Sequence, residues 1–157
     1  MPRAATSDTA LAIKLWVVLS RAHAAVSRHA EADVARHGLT TAEFGVLAAL
    51  HEHGQLLLGE VQRKILVSSG GITYLVDRLQ AKGLVERQAC PADRRASYAV
   101  LTTKGSALIE RILPEHQRCI AHALSGLSSA EKRTATNLLR TLGLTAAQLD
   151  PCEGASR

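Results

Sequence analysis

Residues 68–102 read SSGGITYLVDRLQAKGLVERQACPADRRASYAVLT, and the fold follows from how that stretch divides. Ile72, Leu75, Val76 and Leu79 stand at i, i+3, i+4 and i+7, the spacing of one buried helix face. Ser68 is the candidate N-cap and Gly83 the stop. Leu84 to Ala89 then reads as a strand, Pro91 to Arg95 as a hairpin tip, and Ala96 to Leu101 as the returning strand. Two adjacent arginines at a hairpin tip bury nothing, so they point to something outside the chain.

The segments on either side complete a unit. Residues 41–53 predict a helix capped by Thr40 or Thr41, with Glu43 in its first turn, a buried stripe of Phe44, Leu47, Ala48 and Leu50, and Gly54 at its end. A short helix from about 58 to 66 turns Val61 and Ile65 inward. Residues 41–101 therefore predict a winged helix-turn-helix. Residues 8–36 form a long helix with Leu11, Leu15, Val18, Leu19, Ala22 and Val26 at helical spacing, Ser7 or Asp8 as its cap and Gly38 as its stop. Another helix begins at a Thr102 or Thr103 cap and runs to about 124. The last starts at Ser128 or Ser129 with Glu131 as capping-box partner and runs to about 142, with a turn at 145–149. The predicted class is mostly α with a small β-wing. The expected organisation is an N-terminal dimerisation helix (1–38), the winged lobe (39–102), C-terminal dimerisation helices (103–147) and a disordered tail (148–157). The flanking helices are too long for so small a lobe to cover, and a second copy of the chain is the simplest cover for their apolar stripes.

Composition narrows the partner. Hydrophobic residues make up 46% of the 157, enough for a core, and aromatics only 3%, so that core is aliphatic. The net charge is +5. Residues 56–105 hold eight cations (Arg63, Lys64, Arg78, Lys82, Arg87, Arg94, Arg95, Lys104) against four acids (Glu60, Asp77, Glu86, Asp93). Most of the surplus thus sits around the opening stretch. That suits a polyanion, although a solvated charged face has the same composition. Cys90, Cys119 and Cys152 have neither disulfide-framework nor zinc-knuckle spacing. The N-terminus lacks a signal-peptide pattern, and Lys14 and Arg21 leave the first apolar run short of a membrane span. A cytoplasmic protein without membrane contact is expected.

With its apolar face buried, the helix after Ser68 presents Ser69, Gly70, Thr73, Tyr74, Asp77 and Arg78 outward. These are small or hydrogen-bonding groups, suited to base edges in a major groove of double-stranded DNA. Gly70 and Gly71 each cost about 1 kcal/mol of helix stability relative to Ala. They suit either a phosphate at the helix N-terminus or tight helix packing. Arg94 and Arg95 at the wing tip suit the negative potential of a minor groove. Asp93 would repel phosphate, so its expected task is to orient an arginine, either a wing neighbour or Arg78. Taken alone, the same tip reads equally as a solvated hairpin.

Residues 39–110, through LTTAEFGVLAAL and the VDRL, KGLVER, DRR and LT elements of the wing, resemble the MarR family of bacterial transcription regulators. The resemblance implies a homodimer with intertwined terminal helices, two winged lobes on a pseudo-palindromic operator, and repression relieved by a small ligand. It implies that Ser68 to Lys82 is the base-reading helix, and that Arg95 enters the minor groove with Asp93 and Arg94 in support. It also implies a cleft for a small aromatic or anionic effector. Candidates for that cleft are Trp16, His23, Phe44, Val46, His51 and Arg111, with dimer-core packing as the other reading of Trp16.

The first helix contains no cysteine, unlike redox-sensing members that resemble organic-peroxide regulators. Cys119 and Cys90 read as packed small hydrophobes, with a lowered thiol pKa at Cys90 as the alternative. None of the seven histidines is paired at i, i+4, so no metal site is expected. No cofactor is expected, and no phosphate loop, HExxH or GxSxG is present to suggest an enzyme. The remaining alternatives are a constitutive or metal- or redox-responsive DNA-binding protein, and a winged-helix module that binds protein.

Overall fold

The computed structural model describes residues 3–65, 69–91 and 93–150. The order of elements is α1 (Arg3–Ala35), α2 (Thr41–His53), β1 (Leu56–Leu57), α3 (Leu58–Ile65), α4 (Ser69–Ala81), β2 (Val85–Cys90), β3 (Asp93–Leu101), α5 (Thr103–Ala123) and α6 (Ser129–Ala146). The chain divides into two units, Met1–His122 and Ala123–Arg157.

The first unit is built on the winged helix-turn-helix. Its core gathers Leu47 and Leu50 of α2, Val61 of α3, Ile72, Val76 and Leu79 of α4, Val85 and Ala99 of the sheet, and Ile109 and Ile112 of α5. α2 starts with the expected capping box: Thr40 Oγ1 accepts from Glu43 N–H, and Glu43 Oε2 accepts from Thr40 N–H at 2.8 Å. Gly83 takes φ 69°, which lets α4 end and turn directly into β2. Thr102 caps α5 by accepting from Gly105 N–H at 3.0 Å and donates to Gly83 O at 2.7 Å. A Cβ at Gly105 would lie 2.0 Å from Leu84 O, so only glycine lets α5 start this close to the wing.

Several expectations are revised. The sheet has three strands, in the order β1-β3-β2, because Leu56 and Leu57 pair antiparallel with Ala99 and Tyr98. A two-residue strand is too short to leave an alternating pattern. β3 begins at Asp93, with Cys90 opposite it, so Arg94 and Arg95 belong to the strand and not to the hairpin tip. α1 begins at Arg3, which places Ser7 and Asp8 inside the helix and not at its cap. α6 continues to Ala146, past the expected end near 142 and into the expected turn. Pro114 lies inside α5 without ending it. The proposed cap Ser68 and the tail 151–157 lie outside the described residues.

The first apolar run also exceeds what the sequence reading allowed. Asp8–Ala35 is long and apolar enough to cross a membrane by length and composition, at a mean hydropathy of 1.3. Lys14, Arg21 and Arg28 nevertheless recur every seven residues along it. A cation at the centre of a span costs about 2.5–3.5 kcal/mol.

Candidate nucleic-acid interface

α4 divides as the spacing predicts. Ile72, Leu75, Val76 and Leu79 are buried, while Thr73 and Asp77 are exposed and Tyr74 is 59% exposed. The side chains of Ser69, Gly70, Asp93, Arg94 and Arg95 lie outside what the structure describes; their backbone positions are the first turn of α4 and the first residues of β3.

The charged residues of α4 are held by the protein itself. Asp77 Oδ1 accepts from Arg87 Nη2 of β2 at 2.7 Å, and the same nitrogen reaches Thr73 O at 3.4 Å. That bridge ties the wing to the reading helix. Arg78 Nε lies 3.2 Å from Glu43 Oε1, and its guanidinium sits 5.7 Å from the centre of the Tyr74 ring. Glu43 is thus the acid facing Arg78. Lys82 Nζ donates to Glu43 Oε1 and Oε2, each at 2.9 Å, and to Gly38 O at 2.8 Å. Three acceptors use all three ammonium protons. Burial alone would raise the Glu43 pKa. The Lys82 hydrogen bond, the Thr40 N–H and the charges of Lys82 and Arg78 outweigh burial and hold it below its ordinary value.

Sequence reasoning read Glu43 only as a cap and did not assign Arg87. Glu43 lies 35 residues before Arg78 in the chain, and no local spacing announces such a pair. A second cluster was also missed. Asp33, at the end of α1, is buried, is ion-paired to Arg36, and accepts from His116 Nδ1 of α5 at 2.9 Å. The Phe44 ring lies 4.3 Å from that of His116. Burial pushes the Asp33 pKa up, but the hydrogen bonds from Arg36 and His116 and their charges bring it below the ordinary value. Beside this cluster a cavity of about 470 Å³ is lined by Arg28, His29, Ala32, Asp33, Arg36 and Cys119.

The six effector candidates do not converge. Trp16 is 65% exposed on α1, and His23 reaches Ser27 Oγ at 3.4 Å one turn on. Phe44 and Val46 belong to the lobe core, and His51 is exposed. Arg111 lines a small cavity with Leu84, Lys104, Ala107 and Leu108, which contains none of the other five. Among the described residues no group of three His, Cys, Asp or Glu side chains could hold a metal ion.

The arrangement of α2 to β3 is a winged reading head, and known proteins share it. The family model described as MarR family matches residues 37–96. The HTH-type transcriptional regulator MhqR of Bacillus subtilis (strain 168) is 41% identical over 140 residues, covering 89% of this chain and 97% of that protein. The chain belongs to the MarR family. Among solved MarR-family structures, a mutant MarR from E. coli complexed with operator DNA is 27% identical with a TM-score of 0.77, covering 83% of this chain and 94% of that one. Bordetella bronchiseptica BpsR, whose DNA binding is regulated by 6-hydroxynicotinic acid, is 28% identical with a TM-score of 0.75, covering 85% and 92%. This MarR-family chain is a DNA-binding transcription regulator and not an enzyme.

Proposed function

We propose that the chain is a homodimeric, ligand-responsive repressor that binds a pseudo-palindromic operator in the cytoplasm. The observation that carries the reading is the division of α4: one face is locked into the core, and the other offers Thr73 and Tyr74 to solvent beside a two-stranded wing. In this reading the first turn of α4, at Ser69 and Gly70, meets a phosphate, and Thr73 and Tyr74 meet base edges. In the same reading Arg94 and Arg95 contact the minor groove, supported by Asp93. Arg78, pinned at one edge to Glu43, is left with its outer N–H groups for the DNA backbone.

A second copy is supported by the apolar side chains left in water. Leu11, Ile13, Leu15, Trp16 and Val18 of α1, and Leu138, Leu139, Leu142 and Leu144 of α6, are all exposed. Two copies meeting through such helices would set two reading heads about one helical turn of DNA apart. For the effector, the cavity beside Asp33 and His116 suits a small aromatic anion better than the six dispersed candidates, because Arg28, His29 and Arg36 face it together.

The deciding experiment is selection of genomic fragments by the purified chain, read by sequencing at moderate salt. An inverted repeat with half-sites about one turn apart is the expected outcome. Fragments without a shared motif would overturn specific regulation. Release of a recovered fragment by small aromatic acids tests the effector, and a complex that none of them releases would favour a constitutive regulator.

A further inference from the structure

We infer that Glu43 and Lys82 are positioning residues for operator recognition. They form a clamp, half-buried at Lys82 and fully buried at Glu43, that sets the angle at which α4 is presented, and Lys82 makes no phosphate contact of its own. The inference rests on the DNA-binding reading above and goes beyond it, because the cations of a reading helix are ordinarily expected to face phosphate.

Lys82 follows the last residue of α4, about 20 Å along the axis from Ser69. A reading helix meets base edges chiefly with its N-terminal residues, so Lys82 stands at the far end. There its ammonium is enclosed by Gly38 O, just beyond α1, and by both oxygens of Glu43 in the first turn of α2. Its own carbonyl accepts from Lys104 Nζ of α5 at 2.8 Å. The next two carbonyls continue the pattern, Gly83 O accepting from Thr102 Oγ1 and Leu84 O from Thr102 N–H at 3.1 Å. The end of α4 is therefore bound at once to the chain after α1, to α2 and to α5. Glu43 is fully buried, and the Thr40 N–H holds it in place from behind. It also carries Arg78, one turn nearer the DNA-facing end. A small tilt at this anchored end becomes a displacement of ångströms at Ser69, enough to lose base contacts while general attraction to the duplex persists.

Salt dependence separates positioning from contact. The probes are the duplex recovered by genomic selection and a scrambled duplex of equal length, bound by the full-length chain over a range of salt. Lys82→Met keeps the stem and removes the charge. It is expected to weaken the selected duplex about tenfold, to change the scrambled duplex by less than about threefold, and to leave the slope of log K against log salt unchanged. Glu43→Gln keeps the cap acceptor and is expected to behave alike. Lys82→Met added to Glu43→Gln should cost little more, because one interaction is lost only once.

A phosphate contact predicts otherwise. Both duplexes would weaken together, and the slope would fall by about 0.9 for each half-site. That result, or additive losses in the double variant, overturns the inference. Lys82→Arg retains the charge and covers the case in which Lys82→Met fails to fold; it should keep the wild-type slope and recover part of the selectivity, and a reduced slope would again overturn the clamp. Wild-type protein that selects no sequence would sink the functional reading instead, and it is measured first.

Discussion

Two apolar populations of this chain have opposite fates. Leu47, Val61, Val76 and Leu79 in the winged lobe have no exposed surface, whereas Leu11, Trp16 and Leu138 in the long helices keep 61%, 65% and 65% of theirs. α1 shows the contrast within one helix: Val34, near its C-terminus, is buried against the lobe, and every residue from Asp8 to Val18 is exposed. The lobe buries its hydrophobic surface within one chain, and the stripes of the long helices stay exposed on it. If a second copy covers those stripes, as proposed above, the stability of the long helices depends on protein concentration and that of the lobe does not.

The largest effect should come from the lobe. Leu79→Ala removes a fully buried side chain where α4 meets the core, and it should cost about 3 kcal/mol in denaturant unfolding at any protein concentration. A loss that shrinks on raising the concentration would mean that the lobe, too, is completed by its partner.

Trp16→Ser sharpens the other side. On a chain that stays single, an exposed side chain is worth within about 0.5 kcal/mol. At the centre of a dimer seam an aromatic anchor is worth about 2 kcal/mol or more. Sedimentation should therefore show the variant dissociating at concentrations where the wild type is paired, with its melting temperature losing its concentration dependence. An unchanged dimer would move the seam away from the first half of α1.

Acid should affect the lobe before the exposed stripes. Glu43 and Asp33 both have pKa values held below the ordinary carboxylate range in the folded chain. A depressed folded pKa adds stability that is fully present above the unfolded value, about 4, and is lost as pH falls through the folded value. Melting temperature should thus decline below about pH 4–5. Glu43→Gln should make that decline shallower while lowering stability by about 3 kcal/mol at neutral pH, the scale of a broken buried ion pair. An acid limb identical to that of the wild type would remove Glu43 from it.

The two populations were also unequally legible. Helical spacing gave α2 and α4 nearly to the residue, because apolar stripe and terminal glycine agree in both and a capping box fixes the start of α2. The exposure of the first apolar stripe was legible too, since so small a lobe could not cover so much of Leu11 to Val18. What escaped were features without a local signature: the two-residue β1, the reach of β3 back to Asp93, and the long-range pairs Glu43–Lys82 and Asp33–His116. A carboxylate at the third position of a helix already has a cap to explain it, so its second partner is visible only once the chain is folded. The dispersal of the effector candidates has a related cause. Which of them share one cavity has no local signature, and the tertiary fold places Phe44 and Val46 in the core.

The smallest predicted effect falls on the outward face of α4, where burial decides nothing. Thr73→Ala removes one exposed hydroxyl and should leave unfolding within about 0.5 kcal/mol of wild type. If Thr73 meets a base edge, the variant should lose about 1 kcal/mol on the selected duplex and accept substitutions at one position of each half-site, with little change on scrambled DNA. Arg95→Ala offers the contrast from the wing: its loss should fall on both duplexes and lower the salt slope. Should Thr73→Ala instead weaken both duplexes equally, Thr73 would be a backbone contact, and sequence reading would rest on Tyr74 and the first turn of α4. The comparison would then hold between core and seam, and the boundary between reading and anchoring residues would shift one position along the helix.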